Sequence, residues 1–186
     1  VIERENGEFY NSAVSIGTAP TQYYRKYHLV PFGEFIPFKK IFGYIYENWL
    51  EIPFSNLSRG SEIQPPIDLN NQKLGLNICY EDVFGYEIIK SLPEATILVN
   101  LSNDAWYGES IAASQHLQIS QARAMETQRM MLRATNTGVT AIIDKNGRLI
   151  NSLPQHQVGL LDGFVQGYKG STPFSRYGNY PLIIMC

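Results

Sequence analysis

The sequence has few cysteines and histidines and no long apolar run. Its two cysteines, Cys79 and Cys186, lie far apart, and there is no C-x-x-C pair and no cluster among the three histidines. This composition excludes a disulfide framework and carries no zinc signature, so we predict neither a metal nor a cofactor. No run of about 18 apolar residues and no signal-peptide pattern occurs, so no segment of the sequence is predicted to span a bilayer.

An excess of basic charge is also missing. The formal net charge is -2 and the pI is about 5.9, which gives no electrostatic footprint for nucleic acid and excludes it as an expected partner. The 186 residues, 44% of them hydrophobic, suit one domain of ordinary size with a sizeable core.

Strand-like and helix-like segments alternate in the second half of the sequence. The predicted strands cover 8–16, 23–31, 73–80, 95–102, 138–144, 148–154 and 158–165, and the predicted helices cover 83–92 and 110–134. Gly138 suits a left-handed cap after the longer helix, and Asn146-Gly147 is a hairpin turn signal. This order predicts a layered α/β domain with a mixed sheet.

Cys79 ends the apolar part of the stretch LGLNICYED. A lone cysteine is usually a small buried hydrophobe. Here it falls at the C-terminal end of a predicted strand, where open α/β sheets place their sites, and a polar turn follows it. Backbone N–H groups of that turn could stabilise an oxyanion, so a nucleophile is the alternative. If the strand ending near Asn103 is a neighbour, both loops should lie at one edge of the sheet.

A nucleophilic thiol needs a base and benefits from a nearby cation. His28 and His116 are candidates for a thiol-protease pair, and Glu34 and Glu81 are the carboxylate candidates. Lys26 lies in an extended aromatic stretch, where a lysine is usually solvated. If it pointed inward, its ammonium could stabilise a thiolate and a tetrahedral oxyanion.

Taken together, these motifs resemble a known family. In chain order they are Lys26, His28–Glu34, Ser58–Gly60, Ile78–Glu81, Leu101–Gly108, Gln115-His116, Arg123–Glu126 and Arg133–Gly138. Their order and spacing are similar to those of the nitrilase-type domain of the apolipoprotein N-acyltransferases. The resemblance implies an α-β-β-α sandwich with mixed sheets and a Glu-Lys-Cys triad.

The resemblance also implies roles for individual residues. Cys79 matches the nucleophile that takes an acyl chain as a thioester, and Lys26 matches the lysine that stabilises the oxyanion together with the backbone N–H after the cysteine. Glu34 and Glu81 match supporting carboxylates. The positions that shape the site near the acyl chain are matched by Tyr80, Asn103 and Trp106.

Both ends of the sequence depart from the family pattern. The triad glutamate of the family lies upstream of the segment aligned with Val1, so we expect residues 1–181 to be the C-terminal part of the catalytic domain, incomplete at its N-terminal side and inactive alone. The apolar residues 182–186 are either a last core strand or the start of a membrane-spanning helix, and the resemblance favours the helix.

Residues 36–57 are rich in aromatics and contain two lysines. They form either an amphipathic helix packed on the sheet or an arm or lid at the bilayer surface. In the second case Phe38, Phe42 and Trp49 would enter the interface.

The function implied by the resemblance is N-acylation of lipoproteins at the periplasmic side of the bacterial inner membrane. The expected partners are a phospholipid acyl donor, an apolipoprotein acceptor and the membrane surface. The alternatives are a soluble carbon–nitrogen hydrolase that uses water, a non-catalytic lipid- or lipoprotein-binding module in which Cys79 is only packed, and, more distantly, a thiol protease with His116 as base.

Overall fold

The computed structural model describes residues 1–17, 20–38 and 56–186, apart from the side chains of Tyr107 and Leu182. The chain divides into two compact units, Val1–Glu62 and Ile63–Cys186, which are described here one at a time. Of the predicted arm residues, Phe42 and Trp49 lie outside the described ranges, whereas Phe38 is exposed.

The first unit contains a three-stranded antiparallel sheet. Its strands are β1 (Ile2–Glu5), β2 (Glu8–Val14) and β3 (Tyr23–Arg25), in that order. Asn6 and Gly7 both have positive φ, at 52° and 86°, which suits the tight turn between β1 and β2.

The predicted strand over 23–31 is right only for its first three residues, since β3 ends at Arg25. Further along, the backbone turns near Pro31 and Phe35 and forms the loop that carries Glu34.

The second unit is built on a six-stranded mixed sheet. The strands, in spatial as well as chain order, are β4 (Ile67–Leu69), β5 (Gln72–Ile78), β6 (Ile97–Ser102), β7 (Met130–Thr135), β8 (Thr140–Ile143) and β9 (Leu149–Leu153). β5, β6 and β7 are parallel, and the other neighbours are antiparallel. The expected α/β class, mixed sheet and Asn-Gly hairpin are confirmed.

The helices of this unit are α1 (Gly85–Ile88), α2 (Ala112–Thr127), α3 (Pro173–Tyr177) and α4 (Tyr180–Met185). Three 3₁₀ turns cover Cys79–Val83, Ile89–Ser91 and Asp104–Tyr107. The predicted helix over 83–92 is thus divided into short turns, and the predicted loop over 103–109 holds one. The apolar core between α2 and the sheet is formed by Ile88, Leu98, Leu117, Ala124, Met131, Val139, Ala141 and Ile143.

The prediction of a helix over 110–134 is wrong in its last third. α2 ends at Thr127, and Gln128 takes the left-handed conformation that was expected of Gly138. Met130 begins β7, which lies between β6 and β8 and has both methionines buried. A strand buried on both faces is apolar without alternation, so its pattern can be read as the continuation of an apolar helix.

Arg129 ties the end of α2 to the C-terminal part of the chain. It is buried and donates to the carbonyl oxygens of Ala95 (2.8 Å), Thr127 (3.2 Å) and Gly170 (2.8 Å). Burial lowers the pKa of its guanidinium. The charge lies against the carbonyl end of the helix, where a cation is favoured.

One prediction for the C-terminal part is also wrong. Residues 158–165 form no strand, because they pair with no strand of the sheet in this unit, and Val158, Leu160 and Phe164 are exposed. For residues 182–186, the alternative of a core strand does not hold, because residues 180–185 are helical, with Ile183, Ile184 and Met185 exposed. Within the described residues, no helix is both long and apolar enough to cross a bilayer.

Candidate active site

Cys79 occupies a constrained position at the end of β5. Its φ is 58°, a left-handed conformation that costs a residue with a Cβ on the order of 1 kcal/mol. The side chain is half-buried, and the 3₁₀ turn Cys79–Val83 starts at this residue. The chain therefore turns sharply at the cysteine, as it must if the thiol is to face outward from a strand end.

The carboxyl ends of three parallel strands bring several predicted site residues to one edge of the sheet. Ile78 is paired with Leu101, and Ser102 with Thr135, so Cys79 and Asn103 leave the sheet side by side, as expected. Asn103 accepts from Asn136 Nδ2 (2.6 Å) and from Ala105 N (3.1 Å).

The other predicted residues of this edge differ in burial. Trp106 is 72% exposed, whereas Glu81 is 2% exposed. Glu81 accepts a hydrogen bond from the backbone N–H of Ile78 at 2.7 Å, which ties the turn back to the end of β5. Tyr80 packs edge-to-face on Phe84, with the ring centroids 5.4 Å apart.

Buried Lys26 and half-buried Glu34 form an ion pair in the first unit. Lys26 is 1% exposed, against the usual expectation for a lysine in such a stretch, and its Nζ lies 2.8 Å from Glu34 Oε2. Glu34 also accepts from Asn11 Nδ2 and from Val30 N, each at 2.7 Å. These three donors fix the orientation of the Glu34 carboxylate, and the carboxylate fixes the position of the Lys26 amine in turn.

A buried charge network lies under the sheet edge of the second unit. His116 places Nε2 2.9 Å from Asp82 Oδ1 and Nδ1 3.1 Å from Asp104 Oδ1. Arg133 Nη2 donates to Asp104 at 2.8 Å, and Ser120 Oγ donates to Asp82 at 2.6 Å. All five side chains are at most 4% exposed.

His116 is charged in this network. Burial opposes protonation, but the hydrogen bonds with Asp104 and Asp82 outweigh it and raise the pKa of His116 to about 9. Burial likewise opposes ionisation of Asp104, and the hydrogen bonds from His116 and Ser102 outweigh it, so the pKa of that carboxyl is lowered.

One short contact within the network suggests the opposite charge state for His116. Arg133 Nη2 lies 2.9 Å from His116 Nδ1, a separation that would suit a neutral acceptor. Two carboxylates balanced by a guanidinium and an imidazolium leave no net buried charge, however, so we assign Nδ1–H to Asp104.

The same geometry removes His116 as the base of a thiol protease. Both ring nitrogens face carboxylates, and Nε2 approaches Cys79 through its carbonyl oxygen, at 3.3 Å. An imidazolium that already holds both protons cannot accept the thiol proton.

A polar ladder crosses the three parallel strands and completes the network. Asn77, Asn100 and Arg133 are direct cross-strand neighbours and are buried. Asn100 Nδ2 donates to Asn77 Oδ1 (2.6 Å) and to the Cys79 carbonyl oxygen (2.8 Å), while Arg133 Nη1 donates to Asn100 Oδ1 (2.9 Å).

Sequence reasoning gave these network residues no structural role. The sequence did contain one signal for the network, which is the presence of a polar residue, Asn77 or Asn100, inside each of two apolar strands. Because a buried polar group requires a hydrogen-bond partner, such a residue indicates a buried polar network. Gly138 belongs to the network rather than to a helix cap, because a Cβ there would lie 2.0 Å from Asp104 Oδ2.

Among the described residues, no group of three or more His, Cys, Asp and Glu side chains is arranged to hold a metal ion.

Comparison with known families gives a match over most of the chain. The family model described as carbon-nitrogen hydrolase matches residues 1–172. The chain belongs to the carbon-nitrogen hydrolase family. Solved structures agree: a carbon-nitrogen hydrolase of Helicobacter pylori has a TM-score of 0.58 at 16% identity, covering 82% of this chain and 55% of that protein. A CN-hydrolase superfamily protein of Xanthomonas campestris has a TM-score of 0.59 at 16% identity, and the match covers 100% of this chain and 66% of that protein. These likenesses confirm the predicted nitrilase-type fold.

Curated relatives are closer in sequence than these solved structures. The apolipoprotein N-acyltransferase of Nitrosomonas europaea is 58% identical over 175 residues, which is 94% of this chain and 35% of the relative. That of Chromobacterium violaceum is 47% identical over 178 residues (96% and 34%), and that of Methylococcus capsulatus is 42% identical over 184 residues (99% and 36%). The chain therefore spans about a third of the length of the curated relatives it matches.

Proposed function

We propose that the protein containing this chain is an apolipoprotein N-acyltransferase with Cys79 as its nucleophile. The observation that carries the proposal is the placement of Cys79 in a left-handed turn at the carboxyl end of a central parallel strand. The 58% identity to the Nitrosomonas europaea acyltransferase supports the choice of reaction.

In the first step the Cys79 sulfur attacks the ester carbonyl carbon of a membrane phospholipid. The thiol proton passes to a carboxylate base, the role that the resemblance gives to a triad glutamate. The tetrahedral intermediate collapses with cleavage of the ester C–O bond, and the lysophospholipid leaves as an alcohol after taking up that proton. The acyl chain remains on Cys79 as a thioester.

In the second step the α-amino group of a diacylglyceryl-cysteine attacks the thioester carbonyl. The C–S bond breaks, the Cys79 thiolate leaves, and the amine loses one proton to the base, which gives an N-acylated lipoprotein. A thioester suits this step because a thiolate is a better leaving group for an amine than an alkoxide is.

Lys26 supplies positive charge to the oxyanion in this proposal. Its ammonium is fixed by Glu34 and buried, and a buried fixed charge stabilises a developing anion far more than a solvated one does. Glu81 orients the turn that carries the nucleophile, and Tyr80, Asn103 and Trp106 shape the entrance for the acyl chain. The reaction is placed at the periplasmic face of the bacterial inner membrane, where residues 36–57 would contact the lipid surface.

Trapping the acyl-enzyme tests the proposal. The full-length protein is incubated with phospholipid vesicles and digested with trypsin, and the peptide 74–90, which contains Cys79, is weighed by mass spectrometry before and after hydroxylamine treatment. We expect a hydroxylamine-sensitive acyl adduct in the wild type and none in Cys79→Ala. In Lys26→Met we expect adduct formation to be slower by about 100-fold. Cys186 serves as the internal control for non-specific thiol acylation.

The second half-reaction separates the rival functions. With a diacylglyceryl peptide that has a free amine, an N-acyltransferase yields the N-acyl peptide, whereas a hydrolase of the same family yields free fatty acid with or without the peptide. A non-catalytic binding module yields neither product and no adduct on the 74–90 peptide. Either of the last two results would refute the proposed reaction.

A further inference from the structure

The carbonyl oxygen of Cys79 is held from two sides by buried side chains. Asn100 Nδ2 lies 2.8 Å from it and His116 Nε2 lies 3.3 Å from it. The first donor comes from β6 and the second from α2, at 21 and 37 residues from Cys79 in sequence. Two long-range donors on one carbonyl are more than a tight turn needs for its own closure.

Both donors are anchored by groups other than Cys79. Arg133 Nη1 donates to Asn100 Oδ1 at 2.9 Å, which leaves the amide nitrogen of Asn100 as the donor towards Cys79. The ring of His116 is fixed between Asp82 and Asp104, and Asp82 belongs to the same turn as Cys79. The direction of the Cys79 carbonyl is thus set by the interior of the unit.

A fixed carbonyl also fixes the N–H of the same peptide. The trans peptide is planar, so its C=O and N–H point in opposite directions. Because the Cys79 carbonyl points into the buried network, the Tyr80 N–H points away from it. This N–H belongs to the residue after the nucleophile, where acyl-transfer enzymes place a donor for the oxyanion. Hydrogen bonds accepted by the carbonyl also polarise the peptide and strengthen its N–H as a donor.

We propose that Asn100 and His116 are positioning residues that orient and polarise the Cys79–Tyr80 peptide as the oxyanion donor, through the carbonyl oxygen of Cys79. The proposal rests on the proposed function in that it takes Cys79 as the nucleophile. It does not depend on which acyl donor the protein uses. The two residues touch neither substrate nor sulfur in this scheme, so their contribution is to the tetrahedral intermediate and not to the thiol itself.

The test compares two reactions of Cys79 in the full-length protein. Acylation by p-nitrophenyl butyrate passes through an oxyanion and is followed as a burst of nitrophenolate, whereas alkylation by iodoacetamide displaces iodide at a saturated carbon and forms no oxyanion. We expect Asn100→Ala and His116→Gln to slow the burst by about 10- to 100-fold without raising the KM for the ester, and to change alkylation by less than about 3-fold.

Each variant has a matched control from the same network. Asn77→Ala removes the other acceptor of Asn100 Nδ2, and Ser120→Ala removes a partner of Asp82. Neither residue has a contact with the Cys79 carbonyl among the hydrogen bonds of the described residues, so both controls should keep the burst within about 3-fold of the wild type.

The outcomes separate the positioning role from folding and from the proposed function. A parallel fall of both reactions in Asn100→Ala and His116→Gln, or bursts equal to those of the controls, would overturn the positioning role. A wild-type burst with the ester but no adduct from phospholipid would refute the proposed acyl donor, and the comparison of variants would still decide the role of the two residues.

Discussion

Replacement of His116 should change how the stability of the second unit depends on pH. The pKa of His116 is raised from 6.5 to about 9, and a change of one in pKa corresponds to about 1.4 kcal/mol. Protonation of His116 therefore stabilises the fold by on the order of 3 kcal/mol. Because the folded pKa is the higher one, this contribution is complete below pH 6.5 and is lost as the pH rises through 9.

The assay is hydrogen–deuterium exchange of peptides from α2 in the full-length protein, corrected for the pH dependence of intrinsic exchange. Exchange reports the free energy of the opening that exposes His116. Between pH 6 and pH 10 this free energy should fall by on the order of 3 kcal/mol more in the wild type than in His116→Gln. His156→Asn, which changes an exposed histidine outside the network, should follow the wild-type curve. Parallel curves for the wild type and His116→Gln would refute the assignment of a buried imidazolium.

Three further substitutions test other parts of the structure. Arg129→Lys keeps the charge but loses most of the carbonyl contacts, so we expect the free energy of unfolding to fall by about 2–3 kcal/mol in denaturant titrations, and an unchanged midpoint would contradict this. Gly138→Ala places a Cβ against Asp104, so it should lower the same free energy by at least about 3 kcal/mol, whereas a loss under about 1 kcal/mol would show that the loop adjusts. Glu34→Gln keeps a hydrogen-bond acceptor but removes the charge beside Lys26, so burst acylation should slow by about 10-fold with alkylation of the thiol unaffected; a wild-type burst would argue against a need for the ion pair.

The sequence was sufficient for the central part of the second unit. β5 and the Asn-Gly hairpin could be predicted because each combines an apolar run with a local end signal, the polar turn after Cys79 or the glycine at 147, and β6 could be predicted from its nearly continuous apolar run. β7 could not, since Met130 and Met131 are equally suited to a helix interior and only their partners in the sheet decide between the two structures.

The candidate site was predictable in its motifs and not in its supporting interactions. Cys79 and Asn103 lie at one edge of the sheet as expected, because parallel neighbours end together. The burial of Lys26 depends on Glu34, which lies eight residues away in a turn whose path no periodicity gives. The link from His116 to Asp82 joins a helix to a turn 34 residues earlier, and such a contact exists only once α2 has packed on the sheet.

The ladder of Asn77, Asn100 and Arg133 has a consequence for how the strands choose their alignment. A slip of one residue would turn these side chains to the opposite face, and a slip of two in one direction would set Asn77 opposite Leu98 and Asn100 opposite Met131. Either error would bury polar groups without partners at a cost of several kcal/mol. The ladder therefore selects one register for the three parallel strands against its competitors. That register in turn fixes the relative heights at which the chain leaves the sheet at Cys79 and at Asn103.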